Sequence, residues 1–192
     1  MNVWQSLTDI PGNEASVVTI GNFDGMHNGH KKVIATCVDR AHKLGVDAIA
    51  ITFDPHPIQV HRPEAGLQLI SPLRDRLDAM AAAGLDATLV AHYDKSVYSL
   101  EPDEFVYEFL VERCGAREVV VGEDFRFGRG NSGTIDTLRA LGRQYGFDVL
   151  TVTDIEAPEG RRWSSSWVRE LLAVGDVSGA ARVLGHLHQI GR

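Results

Sequence analysis

Two histidines, three positions apart, follow a short apolar run near the amino terminus. His27 and His30 lie in the segment GNFDGMHNGH, residues 21–30, between that run and a helical pattern. Imidazole N–H groups can donate hydrogen bonds to phosphate oxygens. Gly25 and Gly29 allow a ligand to come close because they lack a Cβ atom. A following helix would present free N–H groups to the same anion, so the segment predicts a phosphate site.

Other interpretations of this histidine pair remain open. His27 and His30 could be ordinary residues at a helix start, where they cap the helix or pair with Asp24. They could also bind a metal ion, although Asp24 is the one further ligand nearby. The segment is neither a Walker loop nor a dinucleotide fingerprint, because it lacks the lysine of the first and the glycine spacing of the second.

A second candidate segment is TFDPHP, residues 52–57, at the end of another apolar run. Phe53, Pro55 and Pro57 would form a rigid apolar wall suited to a flat aromatic ring. Prolines need little ordering when a ligand binds. The alternative interpretation is a turn stiffened by proline, with Phe53 in the core.

A third candidate segment is VGEDFRFG, residues 121–128, which also follows an apolar run. Phe125 and Phe127 alternate with Arg126, so one ring can face a ligand while the other packs inward. Asp124 adds an acidic group beside them. The alternative is an exposed loop whose charges are only solvated.

A fourth candidate segment is SSSWVR, residues 164–169, at the start of a late helical pattern. The hydroxyl groups of Ser165 and Ser166 could cap that helix or bind phosphate. Arg169, one turn later, offers a charged fork for the same anion.

The elements that must position these segments form an α/β pattern. Apolar runs at residues 17–20, 48–53, 87–92, 118–121 and 148–152 predict parallel strands buried on both faces. Helical patterns cover residues 28–44, 72–83, 102–113, 134–145, 165–173 and 177–184, and glycines follow the first four. Irregular stretches cover 54–69, 122–133 and 157–164. We therefore expect an open Rossmann-like parallel sheet with helices on both faces.

Composition limits the class of protein. The 192 residues are 44% hydrophobic and carry a formal net charge of −7, which fits one domain and disfavours nucleic acid or an anionic membrane as partner. Cys37 and Cys114 have no metal-ligand spacing and are expected to be buried thiols. The amino terminus does not resemble a secretion signal, and no stretch approaches a membrane span. A cytoplasmic location is expected.

The four segments together resemble those of a known family. The first resembles the His-x-Gly-His signature of the nucleotidyltransferase superfamily, and in particular the FMN adenylyltransferase module of bacterial FAD synthetases. That family transfers AMP from ATP, with Mg²⁺, to the phosphate of FMN, giving FAD and pyrophosphate. The last segment is similar to the superfamily's Ile-Ser-Ser-Thr-x-x-Arg signature but has Trp163 for isoleucine and Ser166 for threonine.

The resemblance implies roles for individual residues. The implied catalytic residues are His27, His30, Ser165 and Arg169. The implied ATP-binding residues are Gly21, Asn22, Phe23, Asp24, His27, His30, Ser165, Ser166 and Arg169. The implied FMN-binding residues are Phe53, Asp54, Pro55, Pro57, Asp124, Phe125, Arg126 and Phe127. Asp24 could position magnesium or a ribose hydroxyl, and no metal ligand is otherwise predicted.

The resemblance also implies a boundary. Residues 1–186 would form the FMN adenylyltransferase domain, and residues 187–192 would start a linker to a riboflavin kinase domain that this sequence does not contain. Two other functions remain open. One is a nucleotidyltransferase acting on a different phosphorylated acceptor, and the other is a non-catalytic flavin or nucleotide sensor. The expected partners are the small molecules ATP and FMN, and the oligomeric state is left open.

Overall fold

Six parallel strands form the centre of the fold in the order β1-β4-β3-β2-β5-β6. The structure is a computed structural model that describes residues 1–12, 14–153, 157 and 160–187. The strands are β1 Asn2–Trp4, β2 Ser16–Ile20, β3 Asp47–Asp54, β4 Ala87–His92, β5 Ala116–Gly122 and β6 Asp148–Val152. All five residues of β2 are buried, as expected for a strand covered on both faces.

Helices cover both faces of the sheet. They are α1 Asn28–Leu44, α2 Pro57–His61, α3 Leu73–Ala82, α4 Lys95–Tyr98, α5 Pro102–Phe105, α6 Ile135–Tyr145, α7 Ser165–Ala173 and α8 Val177–Leu184, and α5 continues as a π-helix, Val106–Arg113. Ile34 of α1 and Met80 of α3 pack in the core of one face. Phe109 of the π-helix and Leu138 of α6 pack in the core of the other. The predicted α/β class and two-faced sheet are confirmed.

The predicted elements match the structure closely, with three differences. β1 was not predicted, because a three-residue strand with two exposed residues carries no periodic signal. The stretch predicted to be irregular at 54–69 contains α2, and α4 was also missed. The predicted helix at residues 102–113 is α5 followed by the π-helix. The glycines at positions 45, 84, 115 and 146 all have positive φ, as predicted for residues that end helices.

The strand order positions the functional segments. From β2 the chain continues to β3 on one side, whereas β5 pairs with β2 on the other side. In open parallel sheets, such a reversal leaves a crevice at the carboxyl ends of the strands. Helices α7 and α8 form a third apolar cluster with Ile70, so these two helices pack near the turn after β2.

Two further expectations concern the thiols and membranes. Cys37 and Cys114 are free and buried, as expected, and burial raises the pKa of each thiol to about 12. Within the described part of the chain, no helix combines the length and apolar character needed to cross a bilayer.

Candidate functional site

The two histidines lie where β2 gives way to α1. His27 is the N-cap of α1, and its Nδ1 accepts a hydrogen bond from the backbone N–H of His30 at 3.3 Å. Because Nδ1 accepts, the proton of neutral His27 is on Nε2, which is the atom left to donate to a ligand. The two rings stack with centroids 3.6 Å apart. A Cβ at Gly29 would lie 3.1 Å from the His27 ring, so glycine there makes room for it.

Burial decides the charge of this pair. Burial, with a smaller contribution from the nearby Arg162, lowers the pKa of His27 to about 4, although the Asp24 and Asp124 carboxylates oppose the shift. Burial and the neighbouring His27 place the pKa of His30 well below its ordinary value. Both rings are therefore neutral near pH 7 and donate as N–H groups rather than as cations. Nδ1 of His30 is buried without a hydrogen-bond partner among the described residues, so its hydrogen-bonding capacity is unsatisfied.

Asp24 lies behind the histidine turn, only 1% exposed. Its carboxylate accepts backbone N–H bonds from Ile70 at 3.0 Å and from Ser71 at 3.1 Å. It also forms an ion pair with Arg169 of α7. Asp24 thus joins three segments that are distant in sequence, and its carboxylate oxygens are occupied by protein groups.

Helix α7 is tied to the same turn. Ser165 Oγ donates to the backbone oxygen of Asp24 at 2.9 Å, and Arg169 Nε donates to the backbone oxygen of Gln68 at 3.0 Å. Ser164 is the N-cap, since its side chain accepts from Trp167 N–H at 3.2 Å. Ser166 is exposed to solvent. Of the predicted phosphate residues of α7, Ser165 and Arg169 are therefore bonded to the protein and Ser166 faces solvent, whereas Ser164 lines a cavity.

That cavity, here called the nucleotide cavity, has a volume of about 390 Å³ and lies at the ends of β2, β5 and β6. The predicted site residues that line it are Gly21, Phe23, His27, His30, Asp124, Phe125 and Arg126. The predicted ATP-binding residues that do not line it are Asn22, Asp24, Ser165, Ser166 and Arg169. The His-x-Gly-His segment and the loop after β5 thus meet across one cavity.

Sequence reasoning missed one charged residue of this cavity. Arg162 lines it and pairs with Asp124, with 2.6 Å between Nη2 and Oδ1. This ion pair connects the loop after β5 with the segment before α7. A basic residue directly before a serine-rich helix start was the available signal. Trp163 also lines the cavity and stacks on Trp167 at 5.6 Å, so its substitution for isoleucine affects both the cavity and the α7 packing.

A second cavity, here called the aromatic cavity, has a volume of about 300 Å³ and lies at the ends of β3 and β4. The predicted residues Phe53, Pro57, Phe125, Arg126 and Phe127 line it. Asp54 and Pro55 are not among its lining residues, and Asp124 faces the nucleotide cavity instead.

Two tyrosines complete the aromatic cavity without having been predicted. Tyr93 directly follows β4 and lies edge-on to Phe53 with ring centroids 5.5 Å apart, and Tyr98 of α4 also lines the cavity. Tyr93 could have been predicted from the sequence, because it directly follows a predicted strand. As expected for the loop after β5, Phe127 is 5% exposed and packs in the core while Phe125 faces both cavities.

A buried arginine contacts the segments that follow β2 and end β3. Arg76 of α3 is 0% exposed, and its Nη1 donates to the backbone oxygen of Asn22 at 2.9 Å. Its Nη2 lies 3.5 Å from Asp54 Oδ1. Arg76 therefore links the turn after β2 to the end of β3. An arginine inside an amphipathic helix pattern gives no sequence signal of this role.

The two cavities adjoin. Ile20, Gly21, Phe125 and Arg126 line both of them, so both open over the carboxyl end of β2. A polar ligand bound beside the histidines and a flat ligand bound among the aromatic rings would meet at this common wall.

Comparisons with known proteins identify the family of the chain. The family model described as FAD synthetase matches residues 9–167. A protein of Geobacillus thermodenitrificans, provisionally named a bifunctional riboflavin kinase/FMN adenylyltransferase, is 38% identical over 94% of this chain and 93% of its own length. The Escherichia coli K12 protein of that name is 33% identical over 90% of this chain. The match spans only 55% of the E. coli protein.

Solved structures give the same fold. A Streptococcus pneumoniae structure titled as a macrolide-efflux protein is 25% identical, with a TM-score of 0.83 over 96% of this chain and 61% of that one. Pantothenate synthetase from Thermus thermophilus, at 15% identity, has a TM-score of 0.58 over 96% of this chain and 81% of its own. The second likeness concerns the fold alone.

Proposed function

The chain belongs to the FAD synthetase family, and we propose that it is an FMN adenylyltransferase, which transfers AMP from ATP to the phosphate of FMN. The observation that carries this proposal is the pair of adjoining cavities. One is lined by neutral imidazole donors suited to phosphate, and the other by aromatic rings suited to a flat ligand. Their common wall is where the two substrates would react.

The reaction needs alignment rather than a covalent enzyme intermediate. A phosphate oxygen of FMN forms a bond to the α-phosphorus of ATP, and the bond from that phosphorus to the bridging oxygen breaks. Pyrophosphate leaves with the electron pair. The protein must therefore orient two anions and stabilise charge on the leaving group.

We assign the triphosphate to the histidine turn and α7. His27 and His30 would donate N–H bonds to phosphate oxygens beside Gly21 and Phe23 in the nucleotide cavity. Ser165, Ser166 and Arg169 would act at the pyrophosphate end. Asn22, which the resemblance also assigns to ATP, lines the aromatic cavity instead. In the ligand-free protein Arg169 is paired with Asp24, so Asp24 would hold that arginine in place beside the triphosphate.

We assign the flavin to the aromatic cavity. Phe53, Pro57, Phe125 and Phe127 would pack against the ring system, together with Tyr93. The remaining residues implied by the resemblance, Asp54, Pro55 and Asp124, lie in the segments that border the two cavities.

Magnesium fits the site as an ion held mainly by its substrate. Within the described residues, no group of three or more His, Cys, Asp or Glu side chains could hold a metal. Mg²⁺ is commonly bound by one or two carboxylates, substrate phosphates and water. Asp124 is the carboxylate that lines the nucleotide cavity and could reach it. The bound ion would neutralise charge on the phosphate groups.

The proposal is restricted to AMP transfer. The names of the relatives also include riboflavin kinase, and we propose for residues 1–186 the AMP-transferring activity alone. Residues 188–192, most of the predicted linker, lie outside the described residues.

Pyrophosphate release tests this function directly. The protein would be incubated with ATP and Mg²⁺ and with FMN, with riboflavin or with no acceptor. We expect release with FMN alone, together with FAD as product. Release with a different phosphorylated acceptor instead would identify another nucleotidyltransferase. Flavin binding without any release would identify a sensor, and both results would refute the proposal.

A further inference from the structure

Arg126 is the charged residue that lines both cavities. The other residues of the common wall are Ile20, Gly21 and Phe125, none of which carries a charge. In the proposed reaction, the acceptor's phosphate must reach the α-phosphorus of the nucleotide. That phosphate must therefore lie where the two cavities meet, which is beside Arg126.

The loop that carries Arg126 has a defined conformation. Phe127 and Gly133 exchange two backbone hydrogen bonds of 2.9 and 3.2 Å, and the Phe127 side chain is buried in the core. The Phe125 ring stacks on Phe127 with centroids 5.5 Å apart. Arg126 lies between these two anchored rings, so its backbone position at the common wall is set by the packing.

The Arg126 side chain is exposed, and its guanidinium forms no ion pair or hydrogen bond with any residue that the structure describes. Other arginines around the site differ. Arg129 of the same loop pairs with Glu101 at 2.5 Å, and Arg162 pairs with Asp124 at 2.6 Å. An arginine at a site wall with all its donors open is suited to a phosphate, whose oxygens match the planar fork.

We propose that Arg126 binds the phosphate of the acceptor and thereby selects FMN over riboflavin, an inference that rests on the proposed function. The flavin ring is held by apolar contacts that FMN and riboflavin share, so the ring itself cannot distinguish them. The terminal phosphate is the group in which they differ. Arg126 also places a positive charge between two anionic substrates and reduces their repulsion.

Flavin binding in the absence of ATP tests this selection. We would measure the affinity of FMN and of riboflavin by fluorescence for the wild type, Arg126→Ala, Arg126→Lys and Arg129→Ala. Loss of charge-assisted hydrogen bonds to phosphate predicts that Arg126→Ala binds FMN about tenfold to a hundredfold more weakly. Riboflavin affinity should change by less than about twofold, because riboflavin lacks the group that Arg126 contacts.

Arg129→Ala is the matched control, since Arg129 is in the same loop but pairs with Glu101 and lines neither cavity. It should bind both flavins as the wild type does. Arg126→Lys keeps a charge but not the fork, and should recover part of the FMN affinity. If Arg126 had a structural role instead, Arg126→Ala would lower the melting temperature and would weaken the binding of both flavins.

The inference is overturned if Arg126→Ala weakens the binding of FMN and of riboflavin equally, or if it leaves the affinity for FMN unchanged. It is also overturned if the wild type binds the two flavins equally well. Pyrophosphate release from the wild-type preparation tests the proposed function separately. Normal release with an unaffected Arg126→Ala variant would remove only the role of Arg126.

Discussion

Replacing Asp24 by asparagine distinguishes a supporting role for this residue from direct contact with ATP. The carboxylate is 1% exposed and is bonded to the backbone N–H groups of Ile70 and Ser71 and to the guanidinium of Arg169. An asparagine would have nearly the same volume. It would, however, place either an N–H₂ group opposite backbone donors or a neutral oxygen opposite the arginine.

The size of the effect follows from these contacts. Removing one partner of a buried ion pair costs about 3–5 kcal/mol, because the other charge is left without compensation. Arg169 is 22% exposed in its side chain, so water would relieve part of that penalty. We therefore expect Asp24→Asn to lower the free energy of unfolding by about 2–4 kcal/mol. In a chain of this length, such a loss lowers the melting temperature by about 4–16 °C.

Thermal and urea unfolding, followed by circular dichroism, would measure this loss. Asp78→Asn is a suitable control, because that side chain is 75% exposed and its one ion pair among the described residues is with Arg74, at 4.0 Å. The control should change stability by no more than about 0.5 kcal/mol. ATP affinity would be measured on both variants well below their melting temperatures.

One result would refute the reasoning. If Asp24→Asn keeps wild-type stability to within about 0.5 kcal/mol but loses ATP binding, Asp24 acts as a ligand and not as a structural connection. Reduced stability together with weaker ATP binding would fit the proposed role, in which Asp24 holds Arg169 in position.

Three further predictions concern the histidines and the turn. His30→Ala should lower the rate of FAD formation by about two orders of magnitude or more, through loss of one preorganised donor, and near-normal turnover would contradict the assignment. The stability contributed by neutral His27, whose pKa falls from 6.5 to about 4, is fully present above pH 6.5 and is lost as the pH falls towards 4. The difference in unfolding free energy between the wild type and His27→Asn should therefore narrow by about 3 kcal/mol over that range, and parallel pH curves would contradict it. Gly25 and Gly45 both have positive φ, 78° and 66°, but a Cβ at Gly25 would lie 2.8 Å from Ile70 whereas a Cβ at Gly45 would meet open space. Urea unfolding should therefore show a larger loss of stability for Gly25→Ala than for Gly45→Ala. Equal losses would show that the contact with Ile70 carries no cost.

Much of the fold could be predicted from local patterns. Five apolar runs became β2 to β6, and α1, α7 and α8 have the predicted bounds. Because these helices and strands bury whole faces, their apolar residues recur at regular spacing along the sequence. β1, α2 and α4 are too short for such a pattern to form.

Part of the candidate site was also predictable, because the carboxyl ends of parallel strands converge. Residues at or beyond the carboxyl ends of β2, β3 and β5 were expected to share one edge of the sheet, and His27, Phe53 and Phe125 do. Tyr93, just after β4, follows the same rule and could have been included.

The sequence by itself determined the α/β class, the strands that carry the site and the residue types that face its crevice. Only the tertiary structure decided which of those side chains are free for a ligand. Asp24 is paired with Arg169, and Arg162 with Asp124. Arg76 is buried and bonded to the backbone of Asn22, whereas Arg126 lines the common wall without a protein partner among the described residues. Such pairings join segments far apart in the chain and depend on side-chain direction after packing. No local pattern records that direction, because it is set by the neighbours that the fold brings together.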